Sequence, residues 1–112
     1  MKDEWGVTES KYVDAELSRY RPDQLSDRER EGLKAIRETL KVTSSRLPGF
    51  CFKSYVKGNV VWVMMTKANH GTQETVSSAK AKLSLLDDAV RMERTAFRQR
   101  LEGFLRRNGF EI

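Results

Sequence analysis

Residues 50–67 read "FCFKSYVKGNVVWVMMTK", and the reading of this stretch decides the fold. Phe50 to Val56 and Val60 to Lys67 are rich in β-branched and aromatic side chains, which suit a pleated, half-buried surface. Between them, "KGN" offers Gly58 and Asn59, two residues that tolerate the positive φ angles of a tight turn. The stretch therefore reads as an antiparallel β-hairpin. Its first strand alternates, with Cys51, Lys53 and Tyr55 on one side and Phe50, Phe52, Ser54 and Val56 on the other. Its second strand does not, because Val60 to Met65 are apolar throughout except for the indole N–H of Trp62. A strand apolar on both faces is normally covered on both. The hairpin is thus expected at the centre of the structure.

Upstream, "SDRE" starts a helix. Ser26 followed by Glu29 is a capping box, in which each side chain satisfies the other's otherwise unpaired backbone donor. Leu33, Ile36 and Leu40 give this helix a narrow apolar stripe, and Pro48 and Gly49 stop it. Before it, "TESKYVDAELSRY" sets Val13, Leu17 and Tyr20 at helical spacing until Pro22 disfavours helical geometry at Arg21. Downstream, "ANHGT" reads as a loop into a helical region that ends at Asn108 and Gly109, behind Arg106 and Arg107. The residues after it, "FEI", can pack back on the body. The expected fold class is α+β in a single domain spanning 1–112. Its elements are two N-terminal helices (about 9–20 and 27–46), the central hairpin (about 50–67) and a long C-terminal helix (about 73–107).

That last helix is too long for a compact domain. Its 35 or so residues would span ~50 Å, against a radius of gyration of about 13 Å for a domain of this size. Either it breaks, with Asp87 and Asp88 as candidate N-caps, or it protrudes and a partner covers it. Its apolar residues, among them Leu83, Leu86, Val90, Phe97, Leu101 and Phe104 with Leu85, Ala89, Met92 and Ala96 beside them, form a stripe too wide for one hairpin to cover. A homodimer joined through this helix is the expectation.

Composition bounds the function. The chain has 112 residues, 38% hydrophobic and 33% charged, so it can bury one modest core. The opening "MKDEWG" has no apolar run of the signal-peptide kind, and no stretch approaches a membrane span. A single cysteine, Cys51, excludes an internal disulfide and suits a reducing compartment, so the cytoplasm is the expected location. With one histidine and one cysteine there is no zinc cluster of known spacing. Phosphate-cradling glycine motifs are missing as well. His70 falls in a loop with no nucleophile at a recognisable spacing, and Asp87 and Asp88 diverge on a helix rather than converging on one substrate atom. No enzyme, metal or cofactor is expected.

The positive lead is electrostatic. A net charge of +5 favours polyanionic partners. In a helical projection Lys80, Arg91, Arg94 and Arg98 fall within roughly 60° of one another. Arg106 and Arg107 extend this stripe toward the helix end. Asp87 and Glu102, each four residues from an arginine, would pair Arg91 and Arg98 locally and leave Arg94 free. On the hairpin, Lys53, Lys57 and Lys67 surround Tyr55 and Trp62, and cations interleaved with aromatic rings suit single-stranded nucleic acid. The expected function is a small, non-enzymatic accessory or regulatory protein that binds DNA or RNA through Lys53, Lys57, Lys67, Lys80, Arg91, Arg94, Arg98, Arg106 and Arg107. The alternative is a protein-interaction module, such as an adaptor, inhibitor or assembly factor, that uses the apolar hairpin and helix faces. A winged helix would need three helices before its wing, and only two segments are available, so no family is assigned.

Overall fold

The computed structural model describes residues 25–112. Helix α1 spans Asp27–Ser44 and opens with the expected capping box. The Ser26 hydroxyl accepts from the Glu29 amide at 3.1 Å, and the Glu29 carboxylate accepts from the Ser26 amide at 3.0 Å. Strands β1 (Phe50–Lys57) and β2 (Val60–Asn69) form the expected hairpin. Gly58 and Asn59 turn it with φ angles of 61° and 63°, the doubly positive geometry whose twist matches that of the flanking strands.

The C-terminal half departs from the expectation. Thr72–Lys82 is not helical but a third strand, β3, antiparallel to β2 in a sheet of order β1-β2-β3. Helices α2 (Ser84–Arg91) and α3 (Arg94–Arg107) follow. Among the described residues the order is therefore α β β β α α, and the expectation of a hairpin followed by one long helix is corrected. The expected helix over about 9–20 lies outside the described residues. Three physical causes favour the strand. Residues 72–82 carry only Val76, Ala79 and Ala81 as apolar side chains, too few for a helical stripe. Strand β2 needs partners for its backbone groups on both edges once it is buried. Finally, His70 and Gly71, with φ angles of 50° and 82°, make a second two-residue hairpin turn that returns the chain along β2.

The break between the two C-terminal helices falls at Met92 and Glu93, both extended, and not at Asp87 and Asp88, which lie inside α2. Glu93 caps α3 by accepting from the Thr95 and Ala96 amides at 2.9 and 3.1 Å. These two hydrogen bonds hold its carboxyl below the usual carboxylate range. The helices have 8 and 14 residues, so their lengths are only ~12 and ~21 Å. The length problem that called for a covering partner disappears.

Helices and sheet share one core. Leu33, Ile36 and Leu40 of α1, Leu85 and Leu86 of α2, and Phe97, Leu101 and Leu105 of α3 pack against Phe52, Val61, Val63, Met65 and Ala79. After the last helix, Phe110 folds back and stacks on Phe52 with ring centroids 6.4 Å apart. Two contacts set the helix geometry. Gly32 lets α1 approach the Leu86 carbonyl of α2, where a Cβ would meet the oxygen at 2.5 Å. Glu102 of α3 is buried, accepts from the Thr43 hydroxyl of α1 at 2.7 Å, and pairs with Arg46 and Arg106.

Candidate nucleic-acid interface

The face of the sheet turned away from α1, α2 and α3 carries the candidate site at the end nearest the β1–β2 turn, whereas Cys51, Lys53 and Thr66, further along the same face, are buried. Across the three strands, register sets Tyr55 opposite Trp62 and Trp62 opposite Lys80. Because cross-strand partners point to the same side, these three side chains form one row. The Tyr55 and Trp62 rings are nearly parallel, at 11°, with centroids 6.4 Å apart. The Lys80 ammonium stands 4.9 Å from the Trp62 ring centroid, within the range of a cation–π contact. The Trp62 indole N–H donates to the Lys57 carbonyl at 3.2 Å, which fixes the ring's orientation. The Tyr55 hydroxyl donates to the Met64 sulfur at 3.5 Å. The next row toward the turn is Lys57, Val60 and Lys82. The two aromatic rings are half-buried, while Lys57, Lys80 and Lys82 are exposed. The patch thus consists of a half-buried aromatic pair framed by three exposed lysines.

The structure redistributes the residues expected from the sequence. Lys57 and Lys80 come together here, but Lys80 does so from a strand and shares no helical stripe with Arg91, Arg94 and Arg98. Lys53 lies on the same face one row further along, but it is 1% exposed and cannot form part of a rim. Lys67 sits at the far end of β2, 5.9 Å from the Phe50 ring and on the helix side of the sheet. Arg94, expected to be free, pairs with Glu38 at 3.4 Å. The expected local partners also go elsewhere, Asp87 to Arg28 at 2.7 Å and Glu102 to Arg46 and Arg106. Among the described residues Arg91, Arg98 and Arg107 make no ion pair.

Two cations near the patch escaped the sequence reading, Lys82 and Arg100. Lys82 was detectable, since Ala79 and Ala81 alternate with Lys80 and Lys82 in a period of two. Arg100 carries no such signal, because only the packing of α3 beside β3 brings it close.

The other candidates for chemistry hold structural places. His70 is exposed in a hairpin turn. Cys51 is buried, with the Thr66 hydroxyl at 2.9 Å and the Gln73 amide donating to its sulfur at 3.3 Å. Among the described residues no group of His, Cys, Asp and Glu is placed to hold a metal ion, and no helix is long and apolar enough to cross a membrane. Comparison with family models, with curated proteins and with solved structures returned no match.

Proposed function

We propose that this chain is a non-enzymatic nucleic-acid-binding accessory or regulatory protein that holds single-stranded DNA or RNA on the outer face of its sheet. The observation that carries this reading is the row Tyr55–Trp62–Lys80, flanked by Lys57 and Lys82. A base stacked on an aromatic ring contributes ~1–3 kcal/mol and does so for any base, because every base has a π-face. Lys80 rests over the ring on a flexible stem, so an incoming base can displace it toward a phosphate. The net charge of +5 supplies long-range attraction for the polyanion. Action in the cytoplasm belongs to the same proposal. A homodimer was expected in order to cover the helix stripe. Much of that stripe, including Leu86, Phe97 and Leu101, is buried within one chain, so light scattering that finds a monomer would remove the dimer without touching the binding surface.

Fluorescence anisotropy of a labelled oligodeoxythymidine tests the reading. Binding at low salt is expected, and Trp62→Ala should weaken it by about 5- to 150-fold, the equivalent of one lost stack. Absence of binding by the wild-type chain at low salt would sink the proposal. Retention of one specific protein with weak salt dependence would instead support the interaction-module alternative.

A further inference from the structure

Lys80 belongs to two surfaces. Its ammonium stands over Trp62 on the outer face, and the residue also lines a groove along the β3 edge, bounded on the far side by α2 and α3. Lys82, Arg100 and Arg107 complete the cationic lining, and Phe104 adds an apolar wall. Asp88 is the groove's one carboxylate, and Arg100 already pairs with it at 3.3 Å. Among the described residues Lys82 and Arg107 have no ion-pair partner. Cations gathered in a concave place repel one another, and a chain of phosphates relieves that repulsion while releasing its own counterions.

Resting on the reading above, we infer that this groove is the backbone site of a single-stranded nucleic acid whose bases stack at Trp62. The shared Lys80 makes the two features continuous. Bases are taken on the face of the sheet, and the phosphodiester chain passes over the β3 edge into the cleft beside α3. A duplex does not fit this arrangement, because its bases are stacked on one another and present no free ring face to Trp62.

The test is a salt series on labelled oligodeoxythymidine with the doubly substituted Lys82→Gln/Arg107→Gln chain. Both side chains are exposed, so circular dichroism should show an unchanged fold. Each phosphate contact contributes about 0.7 to the slope of log affinity against log salt, so the double variant should flatten it by about 1.4. Lys34→Gln/Lys41→Gln, which removes the same charge from α1, should leave the slope within error. Trp62→Ala should lower affinity at every salt concentration with the slope intact. A wild-type slope in the groove variant, with binding retained, would overturn the groove assignment and leave the stacking reading standing. Equal affinity for a matched duplex would overturn the single-strand assignment. If the wild-type chain binds no oligonucleotide at all, the stacking reading fails, and this inference with it.

Discussion

Replacing glycine by alanine at two helical positions of this chain should change stability in opposite directions. Gly32 of α1 and Gly103 of α3 both sit inside helices, where alanine is favoured by about 1 kcal/mol. At Gly103 the added Cβ meets only the Arg107 guanidinium at 3.4 Å, the far end of a flexible exposed side chain. The propensity gain should survive there. At Gly32 the Cβ would stand 2.5 Å from the Leu86 carbonyl oxygen and 2.6 Å from the Leu86 Cβ. Ordinary contact begins near 3.5 Å, so α1 and α2 must part by roughly 1 Å. The obstacle is the backbone of α2, which cannot rotate aside, and its displacement loosens Leu33, Ile36, Leu85 and Leu86 in the core. Overpacking of this kind costs about 1–3 kcal/mol, and a backbone clash belongs at the upper end.

After the propensity gain is subtracted, Gly32→Ala should cost about 2 kcal/mol and Gly103→Ala should contribute about 1. With an unfolding entropy of about 2.1 cal/mol/K per residue, 1 kcal/mol shifts the midpoint of a chain this long by about 4 °C. Thermal melts should therefore place Gly32→Ala about 8 °C below the wild type and Gly103→Ala about 4 °C above it. Denaturant titration should show unchanged m-values in both. A Gly32→Ala chain that melts at or above the wild type would refute close helix approach as the reason for glycine at this position. An equal drop in both variants would show that the effect belongs to neither contact.

Three further outcomes follow from single side chains. Glu102→Ala leaves the buried Thr43 hydroxyl only the longer bond to the Thr39 carbonyl, at 3.3 Å, and removes the partner of Arg46 and Arg106. It should cost about 2–3 kcal/mol in a denaturant titration, whereas Glu102→Gln, which still accepts from Thr43, should cost about 1. Glu93 is held below the usual carboxylate range by the Thr95 and Ala96 amides, so its contribution is present above the unfolded-state value and is lost as pH falls through the folded one. Glu93→Gln should accordingly flatten the acid limb of the stability–pH curve, and an unchanged limb would refute the cap's role. His70, at φ 50°, precedes Gly71 in a doubly positive turn, a position that favours asparagine. His70→Asn should raise stability by about 0.5 kcal/mol, and a loss would mean that the imidazole has a contact the turn geometry does not explain.

The parts of the fold that could be read from the sequence are those fixed by local chemistry. Ser26 and Glu29 cap α1 through bonds three residues apart, and Gly58 and Asn59 turn β1 into β2 through their own φ angles. Strand β3 has weaker local support: the His70–Gly71 turn precedes it, but the serines, alanines and lysines of its second half neither favour a strand nor forbid a helix. What hid it further is the irregularity opposite Met65 and Thr66, where the register passes from Ser77 to Thr75 and leaves Val76 unpaired. Gln73 and Thr75 therefore lie on the outer face with Cys51 and Thr66, while Ser77, Ala79 and Ala81 lie on the core face. The odd-numbered positions change sides at the bulge. No single period of two runs the length of the strand, and a search for one finds only its last four residues.

The same missing strand explains why the candidate site was only half visible. The aromatic residues were legible on the hairpin as an apolar excess that β2 could not bury on one face. Trp62 reads as a core residue as long as its strand has one neighbour. Once β3 is paired on the other edge, the core is complete on the helix side with Val61 and Val63 fully buried. Trp62 and Met64 are then left on the outer face, half-covered by Tyr55 and Lys80. Lys80 and Lys82 follow from the register alone, because pairing with Trp62 and Val60 sends them to that face. The strand that the local sequence fails to announce thus turns an apolar stretch into an aromatic surface framed by cations. Its outer edge also bounds the groove with α3. A substitution that unpairs β3 from β2 should remove oligonucleotide binding together with the fold, whereas charge removal at Lys82 should weaken binding and leave the fold intact.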